Sequence, residues 1–171
     1  FQNILGDRYL MKSFEWYLTN YDKRGIIVYI QNNTIIGFVT MRHSDDVDDF
    51  LIYIFSTIIL SIILKPKVIL NYLFFRKIFN YFKSNNSLPN EKSHLELVSI
   101  GVLPSFEKKG IGNQLLKGFE KYAKQKKNNL VILRVLKTNK KATNFYLSNG
   151  WSKKPINFSD YDLFEKNITC D

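Results

Sequence analysis

Cysteine is almost absent from this chain: the only one among its 171 residues is Cys170, beside the last residue, Asp171. A lone thiol excludes an intrachain disulfide and a cysteine-based metal site, and it makes a reducing, cytoplasmic compartment the expectation. Histidine is nearly as scarce. His43 and His94 stand far apart and neither belongs to a ligand pair, so no metal is expected.

A long hydrophobic run is also missing. The most apolar stretch, Phe50 to Leu64, has fifteen residues without a charge and ends at Lys65-Pro66-Lys67. A membrane-spanning helix needs about twenty apolar residues, and the flanks are not those of a signal peptide. A buried helix or a subunit interface is therefore expected there, and no membrane span. Acidic residues are the minority, 15 against 25 Lys and Arg, for a net charge of +10. Between Pro104 and Lys141 there are eleven Lys or Arg and two Glu, a net of +9, so nearly the whole excess lies in one stretch. A local anionic ligand explains that concentration better than a uniformly basic, nucleic-acid-binding surface.

What is present is a profile with 45% hydrophobic and 23% charged residues, that of a globular chain with a real core. One domain over residues 1–171 is expected, without internal repeats or a linker. Tyr9, Leu10, Phe14, Tyr17 and Leu18 recur at helical spacing within Asp7 to Leu18. Gly25 to Gln31 and Thr34 to Arg42 are β-branched and apolar, and Asn32-Asn33 between them tolerates positive φ, so a hairpin is predicted. Gly37 marks a bulge or a close backbone approach. The aspartates in His43 to Asp49 suit a helix N-terminus, followed by two helices over about 48–64 and 67–83 and a loop over 84–93.

From His94 onward the pattern reads strand, glycine loop, helix, strand, helix, strand. Leu95, Leu97, Ile100 and Val102 change phase midway, as a β-bulge would require, and Pro104 ends the strand. A helix over Gly112 to Lys126 turns Leu115, Leu116, Phe119 and Tyr122 inward. Leu130 to Leu136 reads as a buried strand, Lys140 to Ser148 as a short helix, and Tyr161 to Lys166 as a last strand.

Two motifs carry chemistry. Glu107-Lys108-Lys109-Gly110-Ile111-Gly112 follows a strand and opens a helix, where backbone amides and the helix dipole can hold a phosphate. Neither a dinucleotide fingerprint nor a Walker loop is completed, and a tight turn before a helix would explain the glycines alone equally well. The second motif, Asn139-Lys140-Lys141-Ala142-Thr143-Asn144-Phe145-Tyr146, begins a helix directly after a strand and is followed by Gly150-Trp151.

Taken together over about sixty residues, Glu96, Ile100, Val102, Pro104, Gly110, Ile111, Gly112, Leu115 and Leu116, then Asn139, Ala142, Phe145, Tyr146, Gly150 and Trp151, resemble the GNAT superfamily of acetyltransferases. The resemblance implies an α/β (α+β) fold with a central mixed, mostly antiparallel sheet flanked by helices. Residues 48–84 become a helical insertion between the third and fourth family strands. The family's first strand is expected to lie before Phe1. Acetyl-CoA is implied as co-substrate and a primary amine as acceptor, with direct attack in a ternary complex. Cofactor binding falls to Ile100, Gly101 and Val102 of the splayed strand, and to Lys108, Lys109, Gly110, Ile111, Gly112 and Asn113 at the pyrophosphate. Asn139, Ala142 and Tyr146 complete that set.

Tyr146 matches the family tyrosine beside the sulfur, so it is the expected general acid, although a packing role would also suit it. Glu96 is the candidate acceptor of the amine proton, or else a surface glutamate. Glu107 departs from the family's usual Gln or Arg, and Lys108 and Lys109 are expected to offset it; Lys140 or Lys141 are further candidates for the phosphates. Two other readings compete: a non-catalytic acyl-CoA-binding module, and a basic-surface protein for nucleic acid or membranes. The aromatic segment 48–84 is expected to pack on the sheet or to form a homodimer.

Overall fold

The computed structural model of the chain describes residues 11–19, 22–46, Tyr53, 94–156 and 160–168. Six strands form one sheet: β1 (Arg24–Gln31), β2 (Thr34–His43), β3 (Leu95–Val102), β4 (Leu130–Leu136), β5 (Ser152–Lys153) and β6 (Tyr161–Asn167), in the order β1-β2-β3-β4-β6-β5. Among the described pairings only β3–β4 is parallel. Helices α1 (residues 11–17), α2 (Ile111–Gln125) and α3 (Lys140–Ser148) flank it. The expected mixed, mostly antiparallel α/β sheet is thus present. The two helices expected over 48–64 and 67–83, the loop over 84–93 and the Asp7 to Leu10 part of the first helix lie outside the described residues.

Local chemistry accounts for the joints. Asn32 and Asn33 both take positive φ, 49° and 60°, so the β1–β2 hairpin closes on a left-handed two-residue turn. Pro104 occupies the first turn of the short 3₁₀ segment Pro104–Phe106, where its missing N–H leaves nothing unsatisfied. The bulge expected in β3 falls at Val98: Thr40 pairs with Ser99 and Met41 with Leu97, leaving no partner for the residue between.

Strand alternation divides the molecule into two faces. Val39, Met41, Leu95, Leu97, Val131, Leu133 and Phe164 point to α2, which buries Leu115, Leu116, Phe119 and Ala123 against them. Burial of such a side chain contributes roughly 1.5–3 kcal/mol, and this face is the main core. On the other face Phe38 meets Phe14 of α1 edge-on at 5.4 Å, while the Arg24 guanidinium lies 3.9 Å over the Trp16 ring. Helix α1 therefore turns Trp16 and Tyr17 inward, whereas Leu18, expected on the inner face, is 53% exposed. The helix ends at residue 17, so Leu18 no longer follows helical spacing. Residues 44–46 form a single 3₁₀ turn after β2, and the two-residue β5 was not expected.

Gly37 resolves into both readings the sequence allowed. Pairing of Tyr29 with Gly37 and of Ile30 with Ile35 leaves Ile36 as the extra residue of a bulge. A Cβ on Gly37 would stand 3.0 Å from Leu115 Cδ1 and 3.1 Å from the Gly101 carbonyl. The leucine tip can move, but the β3 backbone cannot without disturbing its ladder. We predict that Gly37→Ala lowers unfolding free energy by about 1–3 kcal/mol; an unchanged denaturation midpoint would show that β2 and β3 are not held this closely.

Candidate active site

The sheet opens in its middle. Strands β3 and β4 pair only at Leu95 with Val131, Glu96 with Ile132 and Leu97 with Leu133. Beyond that point β3 stays paired with β2 as far as Val102 and Gly37, and β4 stays paired with β6 as far as Leu136 and Tyr161. A wedge-shaped split results, flanked by Ile100, Gly101 and Val102 on one side and by Arg134 to Leu136 on the other. Backbone groups along its inner edges lack a strand partner and are left for a ligand or water.

The glycine loop sits past the β3 end of the split. Lys108 and Gly110 adopt left-handed φ, 59° and 78°, and the chain enters α2 at once. The first amides of α2 have no intrahelical acceptor and, with the helix dipole, favour an anion. The two glycines serve different ends. A Cβ on Gly110 would meet nothing within 4 Å, so space above the loop is open; on Gly112 it would touch the Phe145 ring at 3.5 Å, so α3 packs on this turn. Asn149 Nδ2 also donates to Asn113 Oδ1 at 3.2 Å.

Charges around the loop differ from the simplest expectation. Glu107 pairs with Lys141 Nζ at 2.7 Å, and that hydrogen bond, followed by the lysine's charge, holds its carboxyl below the usual carboxylate range. Lys141 from α3, more than Lys108, thus offsets Glu107. The Lys109 ammonium lies 4.9 Å from the centre of the Phe106 ring. Lys140 instead lines a cavity of about 380 Å³ with Lys137, Lys153, Lys154 and Asp162.

Helix α3 carries the tyrosine. Asn139 caps it, accepting from the Ala142 amide at 3.1 Å, which accounts for Asn139 and Ala142 structurally. Two turns on, Tyr146 is buried against Trp151 and Phe164, with ring centres at 5.9 and 6.3 Å. Burial raises its hydroxyl from 10.0 to about 12, so it stays protonated at neutral pH.

Glu96 is not a surface residue. It is 3% exposed, and both carboxylate oxygens are engaged: Oε1 accepts from Arg134 Nη1 at 2.7 Å, and Oε2 from Arg42 Nη2 at 3.1 Å and Nε at 3.3 Å. This buried Arg–Glu–Arg group spans β2, β3 and β4 at the narrow end of the split. Beside it Thr40 Oγ1 and Ser99 Oγ share a 2.6 Å hydrogen bond. Arg42 and Arg134 were not anticipated from the sequence, since each partner lies on a different strand, 54 and 38 residues from Glu96.

Comparison with known proteins bears on this geometry directly. Residues 70–151 match the model of the acetyltransferase (GNAT) family. Over these residues the chain is similar to GNAT acetyltransferases. No curated protein matches it. Solved structures give the same fold at low identity. A GNAT family acetyltransferase from Elizabethkingia anophelis with acetyl-CoA bound has a TM-score of 0.53 and 17% identity, over 91% of this chain and 81% of that one. The ribosomal-protein-S18-alanine N-acetyltransferase from Escherichia coli has a TM-score of 0.54 and 13% identity, over 92% and 76%. The Paia N-acetyltransferase from Thermoplasma acidophilum, in complex with coenzyme A, has 0.52 and 17%, over 94% and 67%. Among the described residues no helix is long and apolar enough to cross a membrane.

Two predictions follow from the buried groups of this site. Glu96→Gln leaves two guanidinium groups facing a neutral amide and is expected to cost about 3–5 kcal/mol of stability; wild-type resistance to urea would show that the three charges are not what joins the strands. For Tyr146 the folded value lies above the unfolded one, so its contribution is complete below pH 10 and is lost as pH rises through about 12. That gap is worth on the order of 2–3 kcal/mol. Tyr146→Phe should therefore flatten the fall in stability between pH 10 and 12, and identical alkaline slopes for the two proteins would contradict the burial argument.

Proposed function

We propose that this chain is an acetyl-CoA-dependent N-acetyltransferase that acts on a primary amine by direct attack in a ternary complex. The observation that carries the reading is the conjunction of the β3–β4 split, the glycine loop opening α2, and Tyr146 delivered by α3. Edge groups of Ile100, Gly101 and Val102 would hold the pantetheine arm, and amides from Lys108 to Asn113 the pyrophosphate. Asn139 and Ala142 support the same site through the start of α3.

In the reaction the neutral amine forms a C–N bond to the thioester carbonyl and the C–S bond breaks. The surplus amine proton passes to Glu96 through water, or to bulk water, and Tyr146 protonates the departing thiolate. A hydroxyl near 12 is a weak acid for a free thiolate, but apolar burial raises the thiol as well and narrows the gap. Pairing with two arginines leaves Glu96 few lone pairs for a proton, so Tyr146 is the firmer assignment. No cysteine is described near the split, which favours direct attack over an acyl-enzyme. The cytoplasm as compartment rests on the single Cys170, and a homodimer through 48–84 rests on that segment's aromatic sequence.

A non-catalytic acyl-CoA-binding module is the second reading, favoured by the carboxylate of Glu107 in the phosphate loop and by the full engagement of Glu96. Thiol release from acetyl-CoA with a broad amine panel separates the two; binding of CoA without turnover on any amine would favour the module. On the catalytic reading, Tyr146→Phe lowers kcat by one to several orders of magnitude while CoA still binds. Wild-type turnover in that variant would remove Tyr146 from the mechanism.

A further inference from the structure

Four lysines meet at one cavity. Lys137 comes from the turn after β4, Lys140 opens α3, and Lys153 and Lys154 lie on and just after β5, around a space of about 380 Å³. A cavity of that size suits a small ligand, but such sites are usually lined by apolar side chains with a few polar ones. Here the proportion is reversed: Pro155 and Ile156 are the apolar lining, and Asp162 is the carboxylate among the described residues that line it. Ammonium groups brought together from three elements repel one another, so the arrangement favours an anion between them.

The walls are held in place. The Lys137 N–H donates to the Asp160 carbonyl at 3.0 Å, and the Lys154 N–H donates to the Leu163 carbonyl at 2.8 Å. Ile156 packs on Ile132 and Leu163. Asp162, 8% exposed, is met by Lys153 at 2.9 Å, and Glu165 by Lys154 at 2.8 Å, so each carboxylate already faces a cation. Lys140 is exposed and makes no ion pair among the described residues. Its neighbour Lys141 reaches Glu107 in the glycine loop, and successive helix residues point about 100° apart. The first turn of α3 therefore parts the cavity from the loop.

We propose that this cavity is a second anion site, separate from the glycine loop, which takes a small ligand bearing a phosphate or a similarly compact oxyanion and fills alongside CoA. Lysine rather than arginine sets the class. An ammonium is a point charge with three donors, so several can surround one tetrahedral group, whereas a planar carboxylate is matched best by the guanidinium fork. The inference stands whether or not the chain transfers acetyl groups.

The test titrates inorganic phosphate, against sodium chloride at matched ionic strength, with and without saturating CoA. Lysine ¹³Cε resonances are followed by NMR, which separates Lys140 and Lys153 in the cavity from Lys108 and Lys109 in the loop. Saturable movement of the Lys140 and Lys153 resonances with phosphate and not with chloride, at the same midpoint with and without CoA, is the expected result. Lys137→Gln/Lys140→Gln weakens phosphate binding about tenfold, while Lys117→Gln/Lys121→Gln, which removes two exposed charges from α2, changes it less than about twofold. Should the first pair prevent folding, Lys140→Gln alone, at an exposed helix position, gives the same comparison with a smaller loss. A drift that chloride reproduces, equal weakening in both pairs, or a response abolished by CoA would overturn the proposal, the last by giving the cavity to the cofactor. A protein that binds no CoA counts against the acetyltransferase reading and leaves the titration without CoA to decide the cavity.

Discussion

The contact between Glu96 and its two arginines is the constraint on which the rest of the molecule turns. Main-chain pairing joins the halves of the sheet at just three register positions, after which the strands part. Each half is complete on its outer side, β3 held by β2 and β4 by β6, so nothing in the ladders themselves limits how far the split extends. Arg134 reaching from β4 to Glu96 on β3, with Arg42 from β2 behind it, joins all three strands where backbone bonds stop. Such a group adds little net stability over an apolar core of the same shape, because three charges must be desolvated. Its worth lies in geometry: it sets one width for the split, and removing Glu96 leaves two guanidinium groups without the carboxylate between them.

A second set of contacts ties the glycine loop to α3. Gly112 admits Phe145, Asn149 donates to Asn113, and Lys141 reaches back to Glu107. The exposed ion pair contributes little energy, about 0–1 kcal/mol, but the packing of Phe145 one residue before Tyr146 is insensitive to salt. The glycine turn and the helix that carries Tyr146 are therefore packed as one unit. Glu107, unfavourable toward a pyrophosphate by charge alone, is turned to structural use because α3 supplies the lysine.

How far the sequence discloses this follows from the range of each interaction. Strand alternation, the Asn32-Asn33 turn, Pro104 and the inner face of α2 are local signals, and they place β1, β2, β3, β4, β6, α2 and α3 to within a residue or so. Residues Leu95 to Trp151 add motif spacing, which brings Tyr146 and the glycine loop to one region. Side-chain partners are different in kind. Nothing local in Arg42, Arg134 or Lys141 says which carboxylate each meets, since the choice depends on strand order and register. Trp16 replaces Leu18 on the buried side for a similar reason: α1 stops at residue 17, and the tertiary stacking of Arg24 selects the indole. The two residues of β5 are too few to leave any period.

The two faces also differ in what they can recognise. On the helical side the donors are backbone amides at a helix start, which bind phosphate oxygens without regard to the rest of the molecule. On the other side the floor of the split is built from side chains, a fork of guanidinium groups and a pair of hydroxyls, whose directions are fixed by burial. A sheet that parts in the middle thus presents two kinds of surface: backbone donors at a helix start on one side, and on the other the side chains of Arg42, Arg134, Thr40 and Ser99.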